Sequence, residues 1–409
     1  MSTATGSTPR ADWAHANQTE RRFDRPTRAL GLKVPHHFMS LIDIIAGARP
    51  NFMKIAPIIR ALETRMAAGA PLRYRLIHTG QHYDACMSGD FFLQLGIPTP
   101  HLNLEVGSGT QAEQTGTIMV RYEKVLLEER SDLCVVVGDV TSTAACAMAA
   151  QKLRVPVAHV EAGIRSGDWS MPEEINRMVT DAITNYFFTT SESANANLRN
   201  SGVSDERIFF VGNTMIDTLL HSLGRLRPPA FWDEYHLSPQ GFFVLTLHRP
   251  ANVDSEAQLV AMLTAVAEGT RGLPVVFPVH PRTRGRLASV QLPPATASLR
   301  LVEPQGYLEF NYLLQHAKGV ITDSGGVTEE ATVLGVPCLT LRDTTERPET
   351  VELGTNELIG TKPAALAPAL DRLFAGKWKQ GRIPPLWDGR TSARIVEHLE
   401  RLLGDTKCL

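Results

Sequence analysis

The run Leu133-Cys134-Val135-Val136-Val137, closed by Gly138-Asp139, constrains this chain more than any other feature. Its five apolar residues show no alternation and are too few for a buried helix. They describe a strand covered on both faces, as in a parallel sheet. Parallel neighbours need crossovers of a dozen or more residues, usually helices. The sequence supplies them repeatedly. Residues 41–46 and the stretches near 74–79, 155–160, 185–190 and 208–211 have strand character, while 53–68, 111–129, 142–153 and 173–184 carry helical periodicity. The pattern breaks across 225–241, where prolines and aromatics gather. A second series follows, with strands near 242–247, 274–279, 299–303, 319–323 and 336–341.

Two βαβ series predict an α/β fold of two doubly wound, Rossmann-like domains facing across a cleft, over 39–222 and 241–385. The segment 386–409 holds a last helix, near 391–403, with Ile395, Val396, Leu399 and Leu403 at helical spacing. It is expected to pack back across the domain boundary. Residues 1–38 are rich in Ser, Thr, Ala and Arg and have no apolar core of a secretory signal, so they are expected to be a disordered leader.

The chain's 409 residues exceed one ordinary domain, and 43% hydrophobic with 21% charged residues excludes global disorder. A net charge of −2 gives no whole-chain basic face for nucleic acid, and no apolar run reaches membrane-spanning length. Five scattered cysteines (Cys86, Cys134, Cys146, Cys338, Cys408) form no CxxC pair and no zinc spacing. Four of them sit in apolar contexts that fit buried thiols, in keeping with a reducing cytoplasm.

Open α/β sheets bind ligands beyond the carboxyl ends of their strands. There the sequence places Gly47–Lys54, with Arg49 and Lys54 at a glycine turn entering a helix, a candidate anion site. Asp139, Glu161 and Glu173 follow later strands of the first series, and His248, His280 and Ser324-Gly325-Gly326 follow those of the second. Gathered carboxylates suit acid–base work, and a serine-glycine-glycine helix start suits phosphate. GxxxxGK[ST] and GxGxxG are absent from these turns, which disfavours NTP hydrolysis and a dinucleotide cofactor.

Ten segments in one order carry a resemblance: GARPNFMK (47–54), HTGQHYD (78–84), GSGTQAEQTG (107–116), VVGDVTST (136–143), HVEAGIRSGD (159–168), PEEINR (172–177), GNTMID (212–217), LHRPANVD (247–254), DSGGVTEE (323–330) and RDTTERPE (342–349). The chain resembles the non-hydrolysing UDP-N-acetylglucosamine 2-epimerases, which share the GT-B fold. The resemblance implies that Asp139, Glu161, Glu173 and His248 are catalytic. It implies that Arg49, Lys54, Gln305, Phe310, Ser324, Gly325, Gly326, Glu330 and Arg347 bind substrate, with the uracil at Gln305 and Phe310, the diphosphate at 324–326 and the ribose at Glu330. Gln81, His82 and His280 match an activating site for a second UDP-N-acetylglucosamine.

The implied reaction removes the C2 proton, expels UDP anti from C1 to leave 2-acetamidoglucal, and re-adds UDP after protonation of the other face of C2. It implies no metal or cofactor, and a cytoplasmic homodimer acting on UDP-N-acetylglucosamine or a related UDP-aminosugar. Ala48, Asn51 and Ala251 depart from common family residues, as does the loop before Pro172. Alternatives are a hydrolysing relative that releases N-acetylmannosamine and UDP, and a GT-B glycosyltransferase.

Overall fold

The computed structural model describes residues 39–80, 92–279, 281–288 and 290–405. Two parallel sheets organise them, each flanked by helices. The first comprises β1 (Ser40–Ala46), β2 (Leu72–His78), β3 (Leu102–Asn103), β4 (Leu133–Val137), β5 (Val157–Val160), β6 (Tyr186–Thr189) and β7 (Ile208–Phe210), in the order β3-β2-β1-β4-β5-β6-β7. The second comprises β8 (Phe243–Thr246), β9 (Val275–Pro278), β10 (Leu299–Val302), β11 (Gly319–Thr322), β12 (Cys338–Thr340) and β13 (Asn356–Leu358), in the order β10-β9-β8-β11-β12-β13. Strand order therefore reverses between β1 and β4, and again between β8 and β11. Such switch points open a crevice at the strands' carboxyl ends. All five residues of β4 are buried, the consequence of helices on both faces.

The strand series matches the apolar runs. The edge strands β3 and β13, of two and three residues, are too short to leave a periodic signature. The first helix starts at Arg49, four residues before its apolar periodicity. The carboxamide oxygen of Asn51 accepts from the N–H groups of Gly47 and Ala48 at 3.0 and 3.1 Å, which pins the turn. Inside this helix Pro57 has no N–H for the carbonyl of Met53. The Thr218 hydroxyl donates to that carbonyl at 2.6 Å instead.

The last helix, Thr391–Asp405, lays Ile395, Val396, Leu399 and Leu403 into the same core as Ile55, Ile59 and Leu62, beneath the first sheet. Buried Asp217 fixes its start. That carboxylate accepts from Thr391 N at 3.1 Å, from Ser392 N at 2.7 Å and from the Ser392 hydroxyl at 2.7 Å. Asp217→Ala leaves buried amides without a cap, and about 1–3 kcal/mol of stability should be lost. The thermal midpoint should fall measurably; an unchanged midpoint would mean the helix is held by packing alone. No described helix is long and apolar enough to cross a membrane.

Candidate active site

At the first switch point β4 is followed by Gly138, with φ +65°, and Asp139. A Cβ on Gly138 would lie 2.7 Å from Lys54 Nζ, so the missing side chain makes room for that ammonium. Arg177 pairs with the Asp139 carboxylate through one nitrogen and with Glu174 at 2.8 Å through another. Asn176 Nδ2 donates to the Asp139 carbonyl at 2.9 Å. Glu174 in turn accepts from Ser166 N and Gly167 N at 2.9 and 3.0 Å, holding the 166–167 loop. The helix Pro172–Ile183 thereby positions Asp139 from below.

β5 ends one residue before Glu161, which sits at φ +73°, a left-handed conformation unfavourable for a residue that carries a Cβ. The N–H groups of Glu161 and Ala162 both donate to Phe188 O, at 2.9 and 3.1 Å, and so hold the bend. The Glu161 carboxylate lies 2.6 Å from Lys54 Nζ and 2.6 Å from Arg347. Burial alone would raise its pKa; the two cations outweigh burial and hold it at about 2. Arg347 also pairs with Glu329, to which Asn213 Nδ2 donates at 2.9 Å. Lys54, Glu161, Arg347 and Glu329 thus form one buried network joining residues of both sheets.

Beneath the two carboxylate loops lies His159. Its Nδ1 is 2.8 Å from Asp181 and its Nε2 2.8 Å from the Gly138 carbonyl. Asp181 also accepts from Gly163 N at 3.1 Å and from Arg165 at 2.6 Å. One fully buried imidazole therefore braces the turns that carry Asp139 and Glu161.

At the second switch point His248 follows β8. Asp323, at the end of the adjacent β11, takes its Nδ1 at 2.7 Å. Ser324 N donates to the Thr322 hydroxyl at 2.9 Å, and Gly325 and Gly326 open a helix. A Cβ on Gly325 would approach Glu346 Oε1 to 2.8 Å, whereas one on Gly326 meets only Met215 at an ordinary 3.6 Å. Glu330, on this helix, is buried and accepts from Asn311 at 3.3 Å; burial pushes its carboxyl up to about 7. Phe310 is half-buried, and the Gln305 carbonyl accepts from Arg49 at 3.1 Å.

Of the residues expected from sequence, Lys54, Glu161 and Arg347 meet directly, and Asp139 stands beside them through Arg177. Glu173 occupies the first turn of its helix, half-buried, with its charge felt by Arg249. Gln81, His82 and His280 lie outside the described residues. Sequence reading gave no role to Arg177, His159, Asp181, Asp323 or Glu329. The Glu174–Arg177 spacing of three on one helix face was the available signal for Arg177.

Glu349, beside Arg347, is 7% exposed, and neither carboxylate oxygen finds a hydrogen-bond partner among the described residues. Burial pushes it up to about 7. A carboxyl raised in the folded state contributes stability below its unfolded pKa and loses it as pH rises through the folded value. Between about pH 4.5 and 7 Glu349 should cost the fold about 3 kcal/mol. Glu349→Gln, compared with the wild type by thermal unfolding, should gain stability at pH 8 relative to pH 5; a pH-independent difference would refute the buried charge.

The sequence model of the family described as UDP-N-acetylglucosamine 2-epimerase matches residues 64–400. The chain belongs to that family. It is 43% identical over 369 residues to the UDP-N-acetylglucosamine 2-epimerase of Methanocaldococcus jannaschii, spanning 88% of this chain and 98% of the relative. It is 40% identical to the UDP-2,3-diacetamido-2,3-dideoxy-D-glucuronate 2-epimerase of Pseudomonas aeruginosa, across 89% of this chain and all of the relative. The crystal structure of the M. jannaschii UDP-GlcNAc 2-epimerase in complex with UDP-GlcNAc and UDP superposes with a TM-score of 0.80, covering 88% of this chain and 99% of that one. The family's two-sheet GT-B architecture is the one described above, and family membership makes the chain an isomerase.

Proposed function

We propose that the chain epimerises UDP-N-acetylglucosamine at C2 to UDP-N-acetylmannosamine without net hydrolysis. The observation that carries this reading is the pairing of Glu161 with Lys54 and Arg347 at the first switch point, beside Asp139. A C2 proton with no adjacent carbonyl is barely acidic, so its removal must accompany loss of a good leaving group. A base takes the C2 proton, the C1–O bond breaks, the C1=C2 bond of 2-acetamidoglucal forms, and UDP departs with the electron pair. A proton then returns to the opposite face of C2 as UDP re-adds at C1.

In this reading Lys54, Arg49 and Arg347 take the diphosphate, with the helix start at Ser324-Gly325-Gly326. Diphosphate binding draws Lys54 and Arg347 away from Glu161, so the carboxylate becomes a stronger base only when substrate is present. Asp139, Glu161 and Glu173 share the proton transfers on the two faces of C2, and His248 attends the leaving diphosphate. Gln305 and Phe310 take the uracil and Glu330 the ribose. The reading includes a cytoplasmic homodimer, as the resemblance implies, and agrees with the buried free thiols Cys134, Cys146 and Cys338.

A related UDP-aminosugar is the second reading, favoured by the near-equal identity to the P. aeruginosa relative. Phosphorus NMR of the chain with UDP-N-acetylglucosamine tests the reading. The expected spectrum retains sugar-linked diphosphate in two epimers. Accumulation of free UDP would assign a hydrolysing enzyme, and turnover only of a diacetamido-uronate would assign the second reading.

A further inference from the structure

We propose that Asp323 is the positioning residue of His248: its buried carboxylate accepts a hydrogen bond from Nδ1–H and so dictates that the ring meets the ligand through Nε2. The proposal rests on the assignment of His248 to the reaction and adds a residue that assignment leaves out.

Asp323 is fully buried at the end of β11, while the His248 side chain is 40% exposed at the end of the neighbouring β8. One carboxylate oxygen lies 2.7 Å from His248 Nδ1. The other accepts from His248 N at 3.0 Å, Arg249 N at 2.9 Å and Asn252 Nδ2 at 3.1 Å. The Asp323 carboxylate thus faces donors on both oxygens. Burial would raise its pKa, but the His248 ring, with the Arg249 N–H and Asn252, brings it below the ordinary carboxylate range. An ionised carboxylate has no proton to give, so Nδ1 must carry one. The neutral ring is then the Nδ1–H tautomer, with its lone pair on Nε2.

The same contacts fix the ring's aim. Asp323 holds the backbone of His248 and Arg249 as well as the imidazole, so one carboxylate sets the ring relative to its own main chain. The second switch point sets the His248 chain and Asp323 side by side, because β8 and β11 pair in register from Gly319↔Phe243 to Thr322↔Thr246. The two strands that open the crevice therefore also supply the histidine and its holder. Nothing in the reaction uses Asp323 directly; its effect on turnover passes through His248.

A long-range proton–nitrogen NMR spectrum of the full wild-type chain, at alkaline pH and with His248 assigned by His248→Gln, reads the tautomer without any change to Asp323. The Nδ1–H form is expected; the Nε2–H form would overturn the proposal even if Asp323 variants fail to fold. Kinetically, Asp323→Asn should lower kcat by about 10²-fold or more while UDP affinity stays near the wild type. In the His248→Gln background the same change should add little further loss, because the two act as a unit. Equal losses in both backgrounds would make Asp323 a scaffold residue only. Wild-type turnover by His248→Gln would instead remove the histidine itself from the chemistry, whatever its tautomer.

Discussion

Asp139→Asn and Glu161→Gln should each lower epimerisation by about 10²–10⁴-fold while UDP still binds. Both substitutions keep the shape of the side chain and remove its ability to carry a proton. UDP contacts are assigned to other side chains: Arg49, Lys54, Gln305, Phe310, Ser324–Gly326, Glu330 and Arg347. Glu161→Gln has a further consequence. Lys54 and Arg347, each 2.6 Å from the Glu161 carboxylate, lose the anion that competes with a diphosphate for them. UDP affinity should therefore hold or rise in that variant. Glu330→Gln should behave in the opposite sense, weakening UDP more than it slows chemistry at saturation. Calorimetry with UDP, run beside a turnover assay, separates the two classes. Weaker UDP binding by Glu161→Gln than by Glu330→Gln would invert the assignment.

Arg347→Met should be the most destabilising single change in the site. Arg347 is 5% exposed, and its guanidinium pairs with two carboxylates, Glu161 from the first sheet's side and Glu329 from the second's. Removing it strands buried negative charge, which costs about 3–5 kcal/mol when one partner of a buried pair is lost. The orphaned carboxylates can recover part of this by taking protons, so the deficit against the wild type should shrink as pH falls from 8 to 5. Thermal unfolding at both pH values measures it. A deficit below about 1 kcal/mol, or one that grows in acid, would show that Arg347 is not what compensates Glu161 and Glu329.

The sheets were legible because a strand buried on both faces writes a continuous apolar run, as Leu133–Val137 does, and because the break across 225–241 separates two such series. Candidate chemistry was legible because polar residues such as Asp139, Glu161 and His248 interrupt those runs at their carboxyl ends. The pairing among them was not. Arg347 reaches Glu161 across 186 positions, and an ion pair of that separation leaves no periodicity in the chain. His159 reads as one more member of an apolar strand, yet its two ring nitrogens tie the Asp139 turn to Asp181. Asp323 reads as the residue before a glycine-rich helix start, and only the register of β8 with β11 sets it behind His248. The start of the first helix at Arg49 writes no apolar signal for a local reason: Asn51 folds back on Gly47 and Ala48 and starts the helix before its apolar face begins.

The central claim is that the C2 proton of a UDP-aminosugar is removed and replaced while the sugar ends attached to UDP. Incubation with UDP-N-acetylglucosamine in D2O, followed by proton NMR of the sugars, tests it most directly. Both gluco and manno UDP-sugars should appear with deuterium at C2, and Asp139→Asn and Glu161→Gln should each slow that exchange by about 10²–10⁴-fold. Retention of the C2 proton in an epimerised product, or wild-type exchange by both variants, would contradict it.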